Sequence, residues 1–412
     1  MKSETFREIP GGICAPQGFA AAGVTAGIKK SMEPDLALIV SRTPCRAAGT
    51  FTTNAAKAAP VYFDLKQMHR PLLGIVANSG NANACTGREG LRNCEAMARL
   101  ARQAVAGSGR PLGEFAVCST GRIGVQLPMD RIESGIHEAA ARLSETDTTA
   151  ARAIMTTDTF SKEIAVEFSF GGKKVRIGGI AKGAGMIQPG MSPTGKRPAL
   201  HATMLAFITT DADLPRPTLQ NLLNRSIAQS FNRISVDGDM STNDTVLFLA
   251  NSQAKHKKAT GKDLATFQAA LNHLTLKLAL MIVRDGEGIS KVVTLKVTRA
   301  ATQREAEWAV RAIGNSTLVK CSWYGEDPNW GRLYDAFGYS GARFDDAGFS
   351  IAYNDIFIVK NGVFCEKSLE IVRDIVKSSS FAITCDLGLG QRDAILYTTD
   401  LTEKYVELNK GE

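Results

Sequence analysis

The amino-acid sequence predicts a layered, mixed α/β protein with two lobes. Short apolar runs that end in polar, Gly-containing tips alternate with segments whose apolar residues recur at helical spacing. A length of 412 residues allows two or more lobes with sizeable cores. The hydrophobic share of 44% and the charged share of 22% are those of an ordinary soluble protein.

The first half of the chain contains both kinds of element. Apolar runs ending in polar tips predict strands over 35–41, 72–80 and 115–121. Helical spacing predicts helices over 88–105 and 129–143. Residues 162–180 have the pattern of a β-hairpin whose turn is Gly171-Gly172. We therefore expect a sheet flanked by helices.

The pattern restarts after position 203. Strands are predicted over 204–210, 243–252 and 289–300, and helices over 214–232 and 263–285. The order of the elements predicts two halves that meet near residue 200.

Charge and composition exclude several classes of function. The formal net charge of +8 is spread along the chain without a Lys/Arg run interleaved with aromatic residues, which argues against a nucleic-acid groove. A mild positive field suits small anionic substrates. The 8 cysteines include no CxxC pair and the 5 histidines no HExxH motif, so we expect no metal site.

The same features predict a cytoplasmic protein with reduced, mostly buried thiols. The first residues lack the apolar segment of a signal peptide. The longest apolar run, 278–283, is too short to cross a bilayer. We expect no membrane partner.

Thr203 lies between Ala202 and an apolar run, directly before a predicted strand. A threonine hydroxyl can attack the carbonyl before it, and hydrolysis of the resulting ester leaves an N-terminal threonine. Its free α-amine, with a pKa of roughly 8, can act as a base for its own hydroxyl. The alternative is a threonine that merely begins a strand.

Other polar positions also have two interpretations. Thr120 and Gly121, in the segment CSTGRIG, are candidate oxyanion donors or an ordinary strand-end turn. Asn78, Asn81 and Asn83 are candidate substrate ligands or satisfy turn amides. Glu287, between two glycines, is a candidate partner for a substrate ammonium or a solvated turn residue.

Taken together, the ordered motifs resemble the ornithine acetyltransferase family of arginine biosynthesis, the bifunctional glutamate N-acetyltransferase/amino-acid acetyltransferases. The resemblance runs from about residue 9 to Asn409. Its motifs are NSGNANACTG, STGRIG, MTTDTFSKE, AKGAGMI, ATMLAFITTDA, FNRISVDGDMSTNDT, RDGEGISK and CSWYGEDPNWGR.

The resemblance implies a two-lobed α/β fold of layered sheets flanked by helices, similar in plan to the N-terminal-nucleophile hydrolases. It implies self-cleavage between Ala202 and Thr203 into an α chain (1–202) and a β chain (203–412), assembled as an α2β2 heterotetramer. Thr203 would be the nucleophile, and Thr120 with Gly121 the oxyanion hole. The implied substrate-binding residues are Thr156, Lys182, Thr203, Glu287 and Asn409.

The implied reaction is ping-pong transfer of the acetyl group from N2-acetylornithine to glutamate through an acetyl-Thr203 ester. Lys182 would meet a substrate carboxylate, and Glu287 a substrate ammonium. The resemblance implies no metal or organic cofactor, although some members also accept acetyl-CoA as donor.

The sequence departs from the family at two places. Residues 192–201 are an insertion directly before the scissile bond and place His201 beside it. The insertion either lengthens the end of the α chain or slows or blocks cleavage, and His201 is a candidate to assist cleavage. The chain also ends NKGE, without the usual terminal Thr or Ser.

Two other functions stay open at this point. One is an aminopeptidase or amidase that uses the same threonine and passes the acyl group to water. The other is an uncleaved, non-catalytic paralogue that only binds amino acids.

Overall fold

The computed structural model describes residues 5–194, 196 and 204–410. The chain forms two compact units. The first contains Met1–Gly183, Pro189–Asn232 and Asp239–Ile282, and the second contains Ala184–Gln188, Arg233–Gly238 and Val283–Glu412.

The first unit is built on a sheet of ten strands in its described residues, with the order β1-β6-β7-β9-β10-β3-β4-β5. Strands β2 and β8 pair with β3. The strands are β1 Phe6–Ile9, β2 Phe19–Val24, β3 Leu36–Thr52, β4 Leu72–Asn78, β5 Glu114–Ser119, β6 Lys162–Phe170, β7 Lys173–Lys182, β8 Met191–Ser192, β9 Leu205–Thr210 and β10 Thr245–Ala250.

Helices cover both faces of this sheet. They are α1 Ala59–Gln67, α2 Gly87–Gly107, α3 Met129–Ala141, α4 Ala150–Ala153, α5 Arg216–Gln229 and α6 Gly261–Arg284. Side chains alternate along β3: Leu36 and Leu38 join the core under α2 and α3, whereas Ala37 and Ile39 join the core that includes α4. This two-sided burial explains why the strands are apolar almost throughout.

Helix α6 is long and apolar enough to cross a membrane by length and composition alone, but half of its most apolar window is buried inside the protein. Its inward side chains recur at helical spacing, among them Phe267, Leu274 and Leu278. The Phe267 ring lies 5.4 Å from that of Phe168 on β6. These contacts are those of a core helix.

The second unit has a sheet of six strands in its described residues, ordered β14-β13-β12-β15-β11-β16. The strands are β11 Val292–Ala300, β12 Ser350–Tyr353, β13 Ile356–Lys360, β14 Val363–Phe364, β15 Ser380–Asp386 and β16 Arg392–Thr399. The helices are α7 Gln303–Asn315, α8 Thr317–Tyr324, α9 Trp330–Gly338, α10 Leu369–Val376 and α11 Glu403–Leu408. Its core packs α7, α8, α9 and α10 against the sheet around Trp323.

The predicted layered α/β class is confirmed, and so is each helix and strand predicted up to residue 300. The Gly171-Gly172 turn joins β6 to β7 with φ of 56° and 75°, values that favour glycine. The expected meeting of two halves near residue 200 is wrong for the compact units, because β9 pairs with both β7 and β10 in one sheet. The division into chains 1–202 and 203–412 concerns cleavage and stays a prediction.

Candidate active site

Thr120 and Gly121 follow β5 at the edge where β4 and β5 end side by side. The Thr120 N–H donates to the Asn78 carbonyl at 3.0 Å, which fixes the turn. Gly121 has a φ of 125°, and a Cβ there would lie 2.5 Å from the Gly80 carbonyl carbon and 2.7 Å from the Asn81 nitrogen. Only glycine fits this position, so the turn is a built feature of the fold.

Lys182, the last residue of β7, connects two of the predicted site residues. Its Nζ donates to the Thr156 hydroxyl at 2.6 Å and to the Thr120 hydroxyl at 3.2 Å. Lys182 is buried and Thr156 half-buried. The fold thus brings together the predicted oxyanion donor Thr120 and two predicted substrate-binding residues, Thr156 and Lys182, from distant parts of the chain.

A buried carboxylate balances this cluster. Asp158 Oδ1 accepts from Lys162 Nζ at 2.7 Å and from the Gly183 N–H at 2.6 Å. Its Oδ2 accepts from the Thr156 N–H at 2.9 Å and lies 4.0 Å from Lys182 Nζ. Burial raises the pKa of Asp158, but Lys182, Lys162 and the Gly183 N–H outweigh it and hold the pKa at about 2. The cluster is therefore an ionised network.

The charge of Lys182 acts on the Thr120 hydroxyl. A hydroxyl that accepts a hydrogen bond from an ammonium group becomes a better donor through its own hydrogen, since linked hydrogen bonds polarise one another. Thr120 is only 4% exposed, so water screens this effect little. Thr120 is thus suited to stabilise a developing negative charge.

In the second unit, Glu287 and Asn409 lie together. Asn409, at the end of α11, donates from Nδ2 to Glu287 Oε2 at 2.9 Å. The Glu287 N–H donates to the Ala184 carbonyl at 3.0 Å. A Cβ on Gly185 would lie 2.4 Å from the Glu287 carboxyl carbon, so the glycine lets the backbone approach the carboxylate closely.

A close backbone contact also explains why glycine follows Glu287. Gly288 has a φ of 66°, and a Cβ there would lie 2.8 Å from the Tyr405 nitrogen in α11. The Thr402 hydroxyl donates to the Gly288 carbonyl at 2.6 Å. The turn and α11 are therefore in tight contact, which places Asn409 against Glu287.

Ala202 and Thr203 lie outside the described residues, as does His201. Met204 is the first described residue after them, and its N–H donates to the side chain of Asp244. Asp244 is fully buried at the start of β10, and burial raises the pKa of its carboxyl well above the usual range. The predicted roles of Ala202 and Thr203 stay predictions.

The three asparagines at the end of β4 and directly after it have structural partners. Asn78 Nδ2 donates to the Asn81 carbonyl at 2.8 Å, and Asn81 Nδ2 donates to the carbonyls of Val125 and Gln126, each at 3.1 Å. Asn83 donates to the Gly90 carbonyl at 2.9 Å. These contacts favour the interpretation that the asparagines satisfy turn amides.

Sequence reasoning missed Asp158 and Asp244 as parts of the site. Asp158 had a local signal only in its closeness to Lys162, four residues later in the motif MTTDTFSKE. Asp244 had none, since it meets Met204 only through the parallel pairing of β9 with β10.

The structure also has a cavity apart from these residues. A cavity of about 400 Å³ is lined by Arg46, His69, Arg70, Pro71, Asp213, Pro215 and Arg216, which include none of the predicted site residues. Within residues 5–194, 196 and 204–410, the structure has no group of three or more His, Cys, Asp or Glu side chains arranged to hold a metal ion.

Known proteins similar to this chain agree with one another. The ArgJ family model matches residues 20–411. The arginine biosynthesis bifunctional protein ArgJ of Symbiobacterium thermophilum is 44% identical over 97% of this chain and 98% of its own length. The glutamate N-acetyltransferase of Methanocaldococcus jannaschii is 41% identical over 98% of this chain and 99% of its own.

Among solved structures, the chain is similar to the ornithine acetyltransferase of Mycobacterium tuberculosis in complex with ornithine. The two are 40% identical, and the match covers 46% of this chain and 100% of that one, with a TM-score of 0.43. The family model and the full-length relatives suffice for an assignment: this chain belongs to the ArgJ family.

Proposed function

We propose that this chain is a glutamate N-acetyltransferase of arginine biosynthesis, which moves the acetyl group of N2-acetylornithine to glutamate. The observation that carries the proposal is the meeting of Thr120, Thr156 and Lys182 in one largely buried polar cluster. The names of full-length relatives support the same activity. A second activity that the family resemblance implies, acetylation of an amino acid with acetyl-CoA as donor, belongs to this proposal as well.

The enzyme first matures by cutting itself between Ala202 and Thr203. The Thr203 hydroxyl adds to the Ala202 carbonyl, the C–N bond breaks, and Ala202 is left esterified to the Thr203 oxygen. That step frees the Thr203 α-amine, and water then hydrolyses the ester, which frees the Ala202 carboxylate and the Thr203 hydroxyl. With a pKa of roughly 8, this amine can take a proton near neutral pH.

Turnover uses the same hydroxyl. It attacks the acetyl carbonyl of N2-acetylornithine while the Thr203 α-amine takes its proton. Collapse of the tetrahedral intermediate returns that proton to the departing amine of ornithine and leaves an acetyl ester on Thr203. The α-amine of glutamate then attacks the ester, which yields N-acetylglutamate and restores the hydroxyl.

The remaining site residues bind or stabilise. The Thr120 hydroxyl and the Gly121 N–H donate to the oxyanion of each tetrahedral intermediate. The contacts of Lys182 support a role in polarising Thr120, beside its proposed attraction of a substrate carboxylate. Glu287 binds a substrate ammonium with Asn409 at its side, and Thr156 binds substrate beside Lys182. No metal or organic cofactor takes part in these steps.

We place this enzyme in the cytoplasm as an α2β2 heterotetramer of its own cleaved chains. The aminopeptidase or amidase and the non-catalytic paralogue are not favoured, because the full-length relatives are named for acetyl transfer or arginine biosynthesis.

Intact-mass measurement and an acetyl-transfer assay test the proposal together. We expect two fragments in place of the 44.1 kDa chain and formation of N-acetylglutamate from N2-acetylornithine and glutamate. The variant Thr203→Ala should stay whole and inactive. Release of acetate without transfer would support the amidase, and a wild-type chain that stays whole and inactive would support the paralogue.

A further inference from the structure

In the second unit, the side chain of Asp237 binds backbone N–H groups of the segment Ala184–Gln188. Its Oδ2 accepts from the Met186 N–H at 2.5 Å, and its Oδ1 accepts from the Ile187 N–H at 2.9 Å. The Val236 N–H donates in turn to the Ile187 carbonyl at 2.7 Å. A carboxylate that accepts two adjacent backbone N–H groups fixes the direction of both peptide units.

The segment needs this support because Met186 has a φ of 56°. That is the left-handed region, which a residue with a long side chain rarely adopts. Residues in this region persist where surrounding contacts determine the backbone, and they concentrate at functional sites. The two hydrogen bonds to Asp237 are such contacts.

The residue before Met186 is Gly185, whose backbone lies against the carboxyl group of Glu287. The position of this peptide therefore sets one wall around the carboxylate. A rotation of the Met186 peptide away from Asp237 would move Gly185 with it.

Asp237 also contacts Tyr405 in α11, the helix that Asn409 directly follows. The Tyr405 hydroxyl donates to Asp237 Oδ2 at 3.3 Å. The Tyr405 carbonyl accepts from Asn409 Nδ2 at 2.9 Å, and the same Nδ2 donates to Glu287 Oε2 at 2.9 Å. One carboxylate thus connects the Gly185 side and the Asn409 side of Glu287.

We propose that Asp237 is a positioning residue for the substrate-ammonium site at Glu287. The inference rests on the proposed function, in which Glu287 binds the side-chain ammonium of N2-acetylornithine. Asp237 does not touch substrate in this account. It holds Glu287 between Gly185 and Asn409 in the geometry that an ammonium requires.

The test compares two donors in acetyl transfer to glutamate: N2-acetylornithine and N-acetylnorvaline, which has a similar chain without the ammonium. In Asp237→Asn the amide keeps one acceptor oxygen but turns an NH2 group toward a backbone N–H. We expect KM for N2-acetylornithine to rise about tenfold or more, while kcat with this donor stays within about twofold of wild type. KM for N-acetylnorvaline should also stay within about twofold of wild type. Cleavage should stay complete, because the substitution leaves Thr120 and Lys182 in place.

Asp386→Asn is the matched control. Asp386 accepts the Gly388 N–H at 3.0 Å at the end of β15, so this change also removes a carboxylate from a backbone N–H. It should leave both KM values unchanged. If Asp237→Asn does not fold, Tyr405→Phe decides, with an expected selective rise of about threefold in KM for N2-acetylornithine.

The outcomes distinguish the positioning role of Asp237 from the proposed function of the enzyme. An unchanged KM in folded Asp237→Asn, or an equal rise for both donors, overturns the positioning role while the proposed function stands. The same holds for an unchanged or unselective Tyr405→Phe if it is the deciding variant. If Glu287→Gln does not raise KM for N2-acetylornithine selectively, the ammonium site itself is wrong and this inference falls with it.

Discussion

Lys182 Nζ donates a hydrogen bond to the Thr120 hydroxyl at 3.2 Å, across 62 positions of sequence. The same ammonium donates to Thr156 at 2.6 Å and is held near the ionised Asp158. A positive charge is therefore fixed behind the hydroxyl that we propose as an oxyanion donor. This arrangement is preorganised, because contacts within the protein hold the ammonium in place.

Thr120→Val should lower kcat for acetyl transfer by roughly 100- to 1000-fold, the usual effect of losing one oxyanion donor. KM should change little, since the lost interaction forms in the transition state. Steady-state kinetics on the cleaved fraction measure both values. Thr209→Val is the control, because the buried Thr209 hydroxyl donates to the Ile13 carbonyl at 2.6 Å and has no proposed role in the site. A kcat near wild type in Thr120→Val would remove Thr120 from the oxyanion hole.

Gly121→Ala should abolish measurable transfer and lower the free energy of unfolding by about 1–3 kcal/mol, because of the φ of 125° and the contact with Gly80. Thermal unfolding and activity of the same preparation are the measurements. Gly124→Ala is a useful comparison, since Gly124 also has a positive φ of 83° but open space around its Cβ. Equal losses in both variants would mean that backbone strain alone explains the effect.

The depressed pKa of Asp158 predicts an acid-sensitive fold. A carboxyl whose pKa falls from 3.8 to about 2 on folding stabilises the native state above about pH 4, and that stabilisation disappears as pH falls through 2. At 1.36 kcal/mol per pKa unit, the contribution is about 2 kcal/mol. Asp158→Asn removes it and leaves Lys162 buried without its carboxylate, so its total cost near neutral pH should be about 3–5 kcal/mol.

Denaturant unfolding at a series of pH values tests this prediction. The difference in unfolding free energy between wild type and Asp158→Asn should be constant above about pH 4 and shrink by about 2 kcal/mol toward pH 2. A difference that stays constant over this range would show that Asp158 does not titrate with the stated pKa.

Gly185→Ala should raise KM without affecting cleavage. The added methyl group would meet the Glu287 carboxyl carbon at 2.4 Å, so the carboxylate must move. We expect KM for N2-acetylornithine to rise about tenfold, with kcat within a few-fold of wild type. Gly338→Ala, where a Cβ has open space, should leave KM unchanged. A wild-type KM in Gly185→Ala would argue against Glu287 as a substrate ligand.

Local sequence patterns predict many of the helices and strands but not their full lengths. Helix α2 was expected over 88–105 and spans Gly87–Gly107, because an amphipathic helix repeats its apolar face every few residues. Strand β3 was expected over 35–41 but continues to Thr52, through a polar stretch that includes Arg42 and Arg46. The polar interruption hides the second part of the strand, whose pairing is supplied mainly by β10.

Some residues of the candidate site could likewise be predicted from the sequence, whereas their contacts could not. Thr120, Gly121 and Glu287 stood out because glycine turns beside polar residues at element ends are visible in sequence. The lysine that joins Thr120 to Thr156 could not be paired with them, since those contacts arise from tertiary folding. Asp237 escaped notice for the same reason: its partners Met186 and Tyr405 are 51 and 168 positions away.

We propose that turnover forms an acetyl ester on Thr203, and covalent trapping can detect this ester. The purified enzyme is mixed with N2-acetylornithine labelled in the acetyl group, quenched in acid without glutamate, digested and mapped by mass spectrometry. The account predicts the label on the peptide that begins with Thr203, and its loss when glutamate is added before the quench. Label on another residue, or transfer to glutamate with no labelled enzyme, would contradict it.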